Sequence, residues 1–342
     1  MKSKFNKEQL YFLISAALSW LINVRSSKKT FKSILIIKWD EIGDMVYALP
    51  TFHPLHSEYP EANITLLCKP FVKPLTMHHP AIHQIIDELP KNKKFDMIVE
   101  LRGNWNTFIY TLKHLPYKRL DRGTVRFKNK LGGGQVHEVE TNLTIIKPIL
   151  TNATKQWPSP IYIDKESQLE ADEFVVKNRL VDFAVIHCGG RRALRQWPLA
   201  NFAVLARTLK DNYKLDIVFV GTEEDNIAIN EVIHMSDREA IKCTHNFSLL
   251  NLAALVGKAK LFVGNESGPL HIAALMNIPL VGIYGPGVKD IFYPIGKKSR
   301  VVHHILDCNP CNQIKCIRPE SPCINLVTIE EVESKIIEVL AL

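Results

Sequence analysis

LFVGNESGPLHIAALMNIPLVGIYGP, residues Leu261–Pro286, reads as strand, tight turn, helix and strand. Leu261–Val263 is a short apolar run that stops at Gly264, and Asn265, Glu266, Ser267 and Gly268 follow as a turn. Leu270, Ile272, Ala273, Ala274 and Met276 carry a helical pattern, and a second apolar run, Pro279–Tyr284, closes on Gly285-Pro286. Such a unit has parallel strands with the turn at their carboxyl ends, where open α/β sheets take their ligands. Ser267-Gly268 at the head of the helix presents backbone N–H groups to an anion such as phosphate or pyrophosphate. Glu266 is placed to take a pair of ribose hydroxyls. The competing reading is that Ser267 only caps the helix and Gly268 only permits the turn.

The same alternation runs along the rest of the chain, which fits two domains. Ser33–Ile37 is a strand apolar on both faces, as a central parallel strand is. Lys38–Asp44 is the turn after it, and Met45–Leu55 starts the next helix. Asp44 lies at the carboxyl end of that strand, as a cap or as a group facing the mouth of the sheet. Ala62–Leu67 and Phe95–Leu101 read as further strands, and Thr107–Leu115 and Glu138–Leu150 as helices. Arg102 follows a strand directly. Arg119–Gln135, with Arg122, Arg126 and Gly132-Gly133-Gly134, reads as a mobile basic loop that is either plain solvated charge or in contact with an acceptor. Thr151–Pro160 is the best linker by its proline and polar content. Beyond it come a helix at Glu166–Asn178, a strand at Phe183–His187, the loop Cys188–Pro198, a helix at Leu199–Lys210 and a strand at Leu215–Val220 ending in Gly221-Thr222-Glu223. Ser248–Val256 is a helix leading back to Leu261.

At 342 residues, with 46% hydrophobic and 23% charged residues, the chain is long enough for two cores and ordinary in composition. Its formal charge of +8 points to an anionic partner. No basic block interleaved with aromatics is present, which argues against nucleic acid. Leu10–Val24 is an apolar segment flanked by Lys2, Lys4 and Lys7 and by Arg25, Lys28, Lys29 and Lys32. It lacks a small-residue cleavage site and is short for a membrane span. Two readings remain: a helix lying in a membrane interface, which its all-round apolar character favours, or a helix docked on the first domain. Residues 1–32 are therefore set apart from the domain at 33–160 and the domain at 161–327.

Four motifs in order resemble glycosyltransferase family 9, the heptosyltransferase family of lipopolysaccharide assembly. ILIIKWDEIGDMVYALPTFHPL is similar to its first strand and Ile-Gly-Asp turn, and HCGGRRALRQWPLANFAVLARTL to its basic loop, Trp-Pro and helix. FVGTEED is similar to its Gly-x-Glu turn, and VGNESGPLHIAALMNIPLVGIYGP to its Ser-Gly-x-x-His block. The resemblance implies an α/β protein of the GT-B fold, two Rossmann-like domains facing across a donor-binding cleft. It also implies inverting, metal-independent transfer from an ADP-activated sugar, usually a heptose, to a lipopolysaccharide-core or other lipid-linked acceptor. The work would be done in the cytoplasm, at the inner-membrane surface. The family's general base falls on Asp44, its basic residue near the diphosphate on Arg195 (usually Lys), and its ribose-binding carboxylate on Glu223. The Asp of the Ser-Gly-x-x-His block is Glu266 here, with Ser267, Gly268 and His271 retained. Arg102, Arg122 and Arg126 are candidate contacts to an anionic acceptor. A final helix, Thr328–Leu342, is expected to pack back on the first domain. No Asp-x-Asp with metal-ligand surroundings is present, so neither a catalytic metal nor another cofactor is expected.

Of seven cysteines, Cys68, Cys188 and Cys243 sit among apolar neighbours as reduced core residues. Cys308, Cys311, Cys316 and Cys323 form C-x2-C-x4-C-x6-C, whose first pair has the spacing of a zinc knuckle. Reduced thiols and a structural zinc both stay open, in a segment expected to lie away from catalysis. Besides the enzyme, an inactive nucleotide-binding homologue acting as a scaffold remains an alternative reading.

Overall fold

The computed structural model of the chain describes residues 7–131, 135–151, 159–244 and 247–342. It divides into two compact units, Met1–Tyr162 and Ile163–Leu342, two residues beyond the expected boundary. Of the expected linker, residues 152–158 lie outside the described residues, as does the glycine run 132–134.

The first unit is built on five parallel strands: β1 (Ser33–Lys38), β2 (Asn63–Cys68), β3 (Gln84–Ile86), β4 (Met97–Arg102) and β5 (Lys118–Asp121). Their spatial order is β3-β2-β1-β4-β5, with Ile34 of β1 opposite Ile64 and Met97. Ile34–Ile37 are wholly buried because helices cover both faces of a parallel sheet. The chain adds strands to one side of β1 and then to the other, so the order reverses between β1 and β4. The second unit has six parallel strands: β6 (Phe183–His187), β7 (Asp216–Val220), β8 (Ile241–Cys243), β9 (Leu261–Asn265), β10 (Leu280–Tyr284) and β11 (Ser299–His303). Their order is β11-β10-β9-β6-β7-β8, reversing between β6 and β9. Alternate residues of β6 serve opposite layers: Ala184 and Ile186 join one core cluster, Phe183 and Val185 the other. Cys68, Cys188 and Cys243 are buried free thiols, and burial pushes each up to about 12.

Four expectations are corrected. The helix expected at Met45–Leu55 begins at Ile42 and is broken into Ile42–Val46, a 3-10 turn at Leu49–Thr51 and Phe52–Glu58. Pro50 has no N–H to carry the first piece onward. Glu41 is the N-cap, so Asp44 stands inside the first turn and is not a cap. The supposed mobile loop at Arg119–Gln135 is instead β5 followed by a helix, Arg122–Leu131. Arg119 is completely buried, its guanidinium paired with Glu100 at 2.9 Å.

The N-terminal helix, Lys7–Arg25, is not separate from the first unit. It packs on β5 and on the Arg122–Leu131 helix, with Ser15, Leu18, Ser19 and Ile22 buried. The C-terminal helix, Ile329–Leu340, was expected on the first domain. Its buried stripe Val332, Ile336 and Val339, at i, i+4 and i+7, belongs to the second unit's core against β10, β11 and the Leu199–Asp211 helix. That spacing fills one helix face.

Candidate functional site

Each sheet carries a cluster of polar side chains where its strand order reverses, the place where α/β sheets open a crevice. In the first unit the cluster grows from the ends of β1 and β4. Lys38, the last residue of β1, is buried, with Nζ 3.4 Å from Asp40 Oδ2 and 4.0 Å from Glu138 Oε1. Arg102, at the end of β4, puts Nε 3.8 Å from Asp40 Oδ2. Glu138, fully buried at the head of the Glu138–Ile146 helix, takes both terminal nitrogens of Arg122, and Arg126 Nη2 lies 2.9 Å from its Oε2. Arg122 and Arg126, expected as acceptor contacts, are thus engaged within the protein. Arg122 is buried and Arg126 partly exposed.

Asp44 is partly exposed beside this cluster. Its carboxyl is pushed up to about 6, chiefly by burial, with Asp40 and Glu138 adding and Lys38 and Arg122 opposing. For Asp40 and Glu138 burial works the same way, but the surrounding cations outweigh it. Lys38, Arg102 and Arg122 hold Asp40 below the ordinary carboxylate value, and Arg122, Lys38 and Arg126 do so for Glu138. Neighbouring carboxyls driven apart in this way divide roles: two fixed anions and one group that exchanges a proton near neutral pH.

In the second unit Asn265, buried at the end of β9, ties three segments together. Its Nδ2 donates to the carbonyls of Cys188 and Gly189 at 2.8 and 3.0 Å, and its Oδ1 accepts from Trp197 N at 3.0 Å. This fixes the Cys188–Pro198 loop above the sheet. Ser267 is the N-cap residue of the Gly268–Leu275 helix by position but makes no side-chain cap bond. Its Oγ lies 3.1 Å from Nδ1 of the buried His187, whose pKa burial lowers from the ordinary imidazole value against the opposing pull of Asp225. The capping alternative for Ser267 is therefore not what the side chain does.

Arg195 and Glu266, the two positions that depart from the resembled motif, are paired with each other at 3.0 Å. The Arg195 Nε also donates to Gln313 Oε1 at 2.6 Å, and Arg192 Nη1 reaches the same oxygen at 2.9 Å. Gly287 lies directly behind the Glu266 carboxylate, which a Cβ there would displace. Glu223 is exposed at the end of β7, and His271 is buried on the Gly268–Leu275 helix. Arg195, Glu266, Ser267 and Gly268 are thus gathered at the β6–β9 reversal, with Glu223 in the 3-10 turn that follows the neighbouring strand β7. Lys38, Glu138, Asn265, His187 and Gln313 are the participants that motif reading passed over.

Gln313 lies between Cys311 and Cys316, so the cysteine segment reaches the basic loop rather than standing apart from it. Cys308, Cys311, Cys316 and Cys323 are free thiols lining one cavity of about 230 Å³ with Leu194 and Pro286. Among the described residues no group of three or more His, Cys, Asp or Glu side chains is disposed to hold a metal ion.

Comparison with known proteins bears on the family and the fold. The profile of Glycosyltransferase family 9 (heptosyltransferase) matches residues 88–321. Lipopolysaccharide heptosyltransferase 2 of Salmonella typhimurium is 24% identical over 313 residues, covering 80% of this chain and 88% of that protein. A family 9 glycosyl transferase from Veillonella parvula superposes with a TM-score of 0.77 at 20% identity, over 92% of this chain and 99% of that one. Escherichia coli ADP-heptose lps heptosyltransferase II does so with a TM-score of 0.70 at 21% identity, over 90% and 98%. Two parallel-sheet Rossmann-like units of the GT-B class, with a profile match over more than half the residues, give one conclusion: the chain belongs to glycosyltransferase family 9.

Proposed function

We propose that this glycosyltransferase moves a heptose, with inversion, from an ADP-sugar to the lipopolysaccharide core or a related lipid-linked anionic glycan. It would act at the cytoplasmic face of the inner membrane, without a catalytic metal. The observation that carries the reading is the place of Asp44 in the first turn after β1, beside the buried Lys38, Glu138 and Arg122 cluster, where burial pushes its carboxyl up to about 6 while cations hold Asp40 and Glu138 below the ordinary value. A base with that value is ionised at neutral pH and still strong enough to take an acceptor hydroxyl's proton in the transition state.

In the proposed step the acceptor oxygen forms a bond to the anomeric carbon from the face opposite the diphosphate. The carbon–oxygen bond to the diphosphate breaks, the proton passes to Asp44, and ADP leaves with the bonding pair. On the donor side Arg195, steadied by Glu266 and Gln313, supplies a cation. The head of the Gly268–Leu275 helix supplies N–H groups for the developing charge. Glu223 would take the ribose hydroxyls. A thermal-shift screen over ADP-, UDP-, GDP- and CDP-sugars, followed by transfer assays with and without chelator, tests this, because a bound donor raises apparent stability. Selective stabilisation by ADP-heptose and a chelator-insensitive rate are expected. Stabilisation by another nucleotide alone, or a rate abolished by chelation, would overturn the donor or the metal-free reaction respectively.

A further inference from the structure

The N-terminal helix carries apolar residues on its outer side as well as on its inner one, where Leu18 and Ile22 are buried. The side it turns to the protein is hydrogen-bonded: Ser15 Oγ donates to Asp121 at 3.1 Å, and Arg119 donates to the Ser15 carbonyl and to Ser19 Oγ at 2.7 and 2.6 Å. Asn23 exchanges two bonds with the Arg119 backbone, and Tyr11 Oη donates to Glu100 at 2.9 Å. The side turned outward is apolar. Leu10, Ile14, Ala17, Leu21 and Val24, at i, i+4, i+7, i+11 and i+14, are all exposed, with Trp20 beside them. Trp20 is 65% and Val24 67% accessible. Docking and membrane contact, alternatives in the sequence, are thus properties of opposite faces of one helix.

A second stripe adjoins it. The Trp105–His114 helix packs Phe108 against Tyr11, Leu18 and Ile22, and leaves Trp105, Ile109 and Leu112, at i, i+4 and i+7, exposed. The Tyr11 and Trp105 rings meet edge to face at 5.2 Å. Charge selects the occupant. No acidic residue occurs between Glu8 and Asp40, while Arg25 ends the first helix, Lys28 (paired with Asp96 at 2.9 Å), Lys29 and Lys32 follow it, and Lys113 and His114 end the second. A second copy would set one basic rim against another, whereas an anionic lipid surface complements both the rim and the apolar stripes.

We infer that these two helices form a platform that seats the first unit on an anionic lipid bilayer. The inference deepens the reading of an enzyme working at a membrane surface and rests on it. The platform also borders the reaction corner. Tyr11 and Trp105 line a cavity of about 240 Å³ whose other walls include Glu100, Arg102 and Arg122. A lipid-linked acceptor lying in the headgroup layer would meet that cavity directly.

The test is sedimentation of the full-length chain with phosphatidylcholine vesicles, with and without phosphatidylglycerol, in the absence of donor and acceptor. The wild type should bind the anionic vesicles. Leu21→Glu with Val24→Glu, both at exposed positions, should weaken binding at least tenfold with unchanged melting and an unchanged rate on a water-soluble acceptor. Lys29→Gln with Lys32→Gln should weaken it by roughly tenfold or more on anionic vesicles only, since each basic residue near such a surface contributes about fivefold. Failure of the wild type to bind, equal binding by the Glu variant, or a dimer in solution that this variant dissolves would overturn the platform. Vesicle binding without any transferase activity would leave the platform standing and sink the functional reading alone.

Discussion

Replacing Asp44 by Asn is expected to stabilise the protein at neutral pH while removing the group that the proposed transfer uses as its base. In the folded chain the Asp44 carboxyl is raised from 3.8 to about 6, mainly by burial. Between about pH 4 and 6 the folded state therefore holds more protons than the unfolded one, and stability falls as pH rises through that window. The penalty is complete above about pH 6 and absent below about pH 4. A displacement of about 2 pH units corresponds to about 3 kcal/mol, and because Asp44 is partly exposed, solvent screening trims this to about 1–3 kcal/mol. Asn is neutral throughout and does not carry the penalty. Urea unfolding of wild type and Asp44→Asn should show that gain at pH 7.5 and almost none at pH 4. In melting temperature it corresponds to about 2–4 °C per kcal/mol for a unit of this size. An Asn variant equally or less stable at pH 7.5, or a gain independent of pH, would refute the argument.

The proposed donor site gives a second expectation: Arg195→Ala should weaken ADP binding by about 1.5–3 kcal/mol in calorimetry, and unchanged affinity would remove Arg195 from the site. Gln313→Ala should weaken ADP binding by less than Arg195→Ala does, since it frees the guanidinium without deleting it. Glu223→Ala should weaken ADP but spare inorganic pyrophosphate, and equal losses for both ligands would contradict a ribose contact. Arg119→Met should cost about 3–5 kcal/mol, because Glu100 is then left buried without its cation. It should also release the N-terminal helix to protease before the rest unfolds, and a helix still protected would count against its polar docking.

The central strands were legible because burial on both faces leaves an unbroken apolar run: β1, β6 and β9 all stand out as ILII, FAVI and LFV. The edge strands β3, β5, β8 and β11 were not. They read QII, KRLD, IKC and SRVVH, too short or too polar to separate from loop. Buried charge misled most. Arg119 and Arg122 look like solvated surface in the sequence, and only the pairing of β5 with β4 brings them to Glu100 and Glu138. Lys38 and Glu138 are 100 residues apart and share a site only through the sheet. Asp44 was singled out by its place after a strand and by the family resemblance. Its raised value was not readable, since it depends on burial and on Asp40 and Glu138 together.

Single-turnover transfer by the wild type and by Asp44→Asn, across pH 5 to 8, addresses the base assignment itself. Glu41 occupies the N-cap, so no capping role for Asp44 competes as an explanation. If Asp44 takes the acceptor's proton, the wild-type rate falls tenfold per pH unit below about 6. The Asn variant should then lose about 10²–10⁴-fold at pH 7.5, with ADP-sugar affinity unchanged. A folded Asp44→Asn enzyme transferring at near wild-type rate would contradict the account, because Asn has no carboxylate to receive the proton.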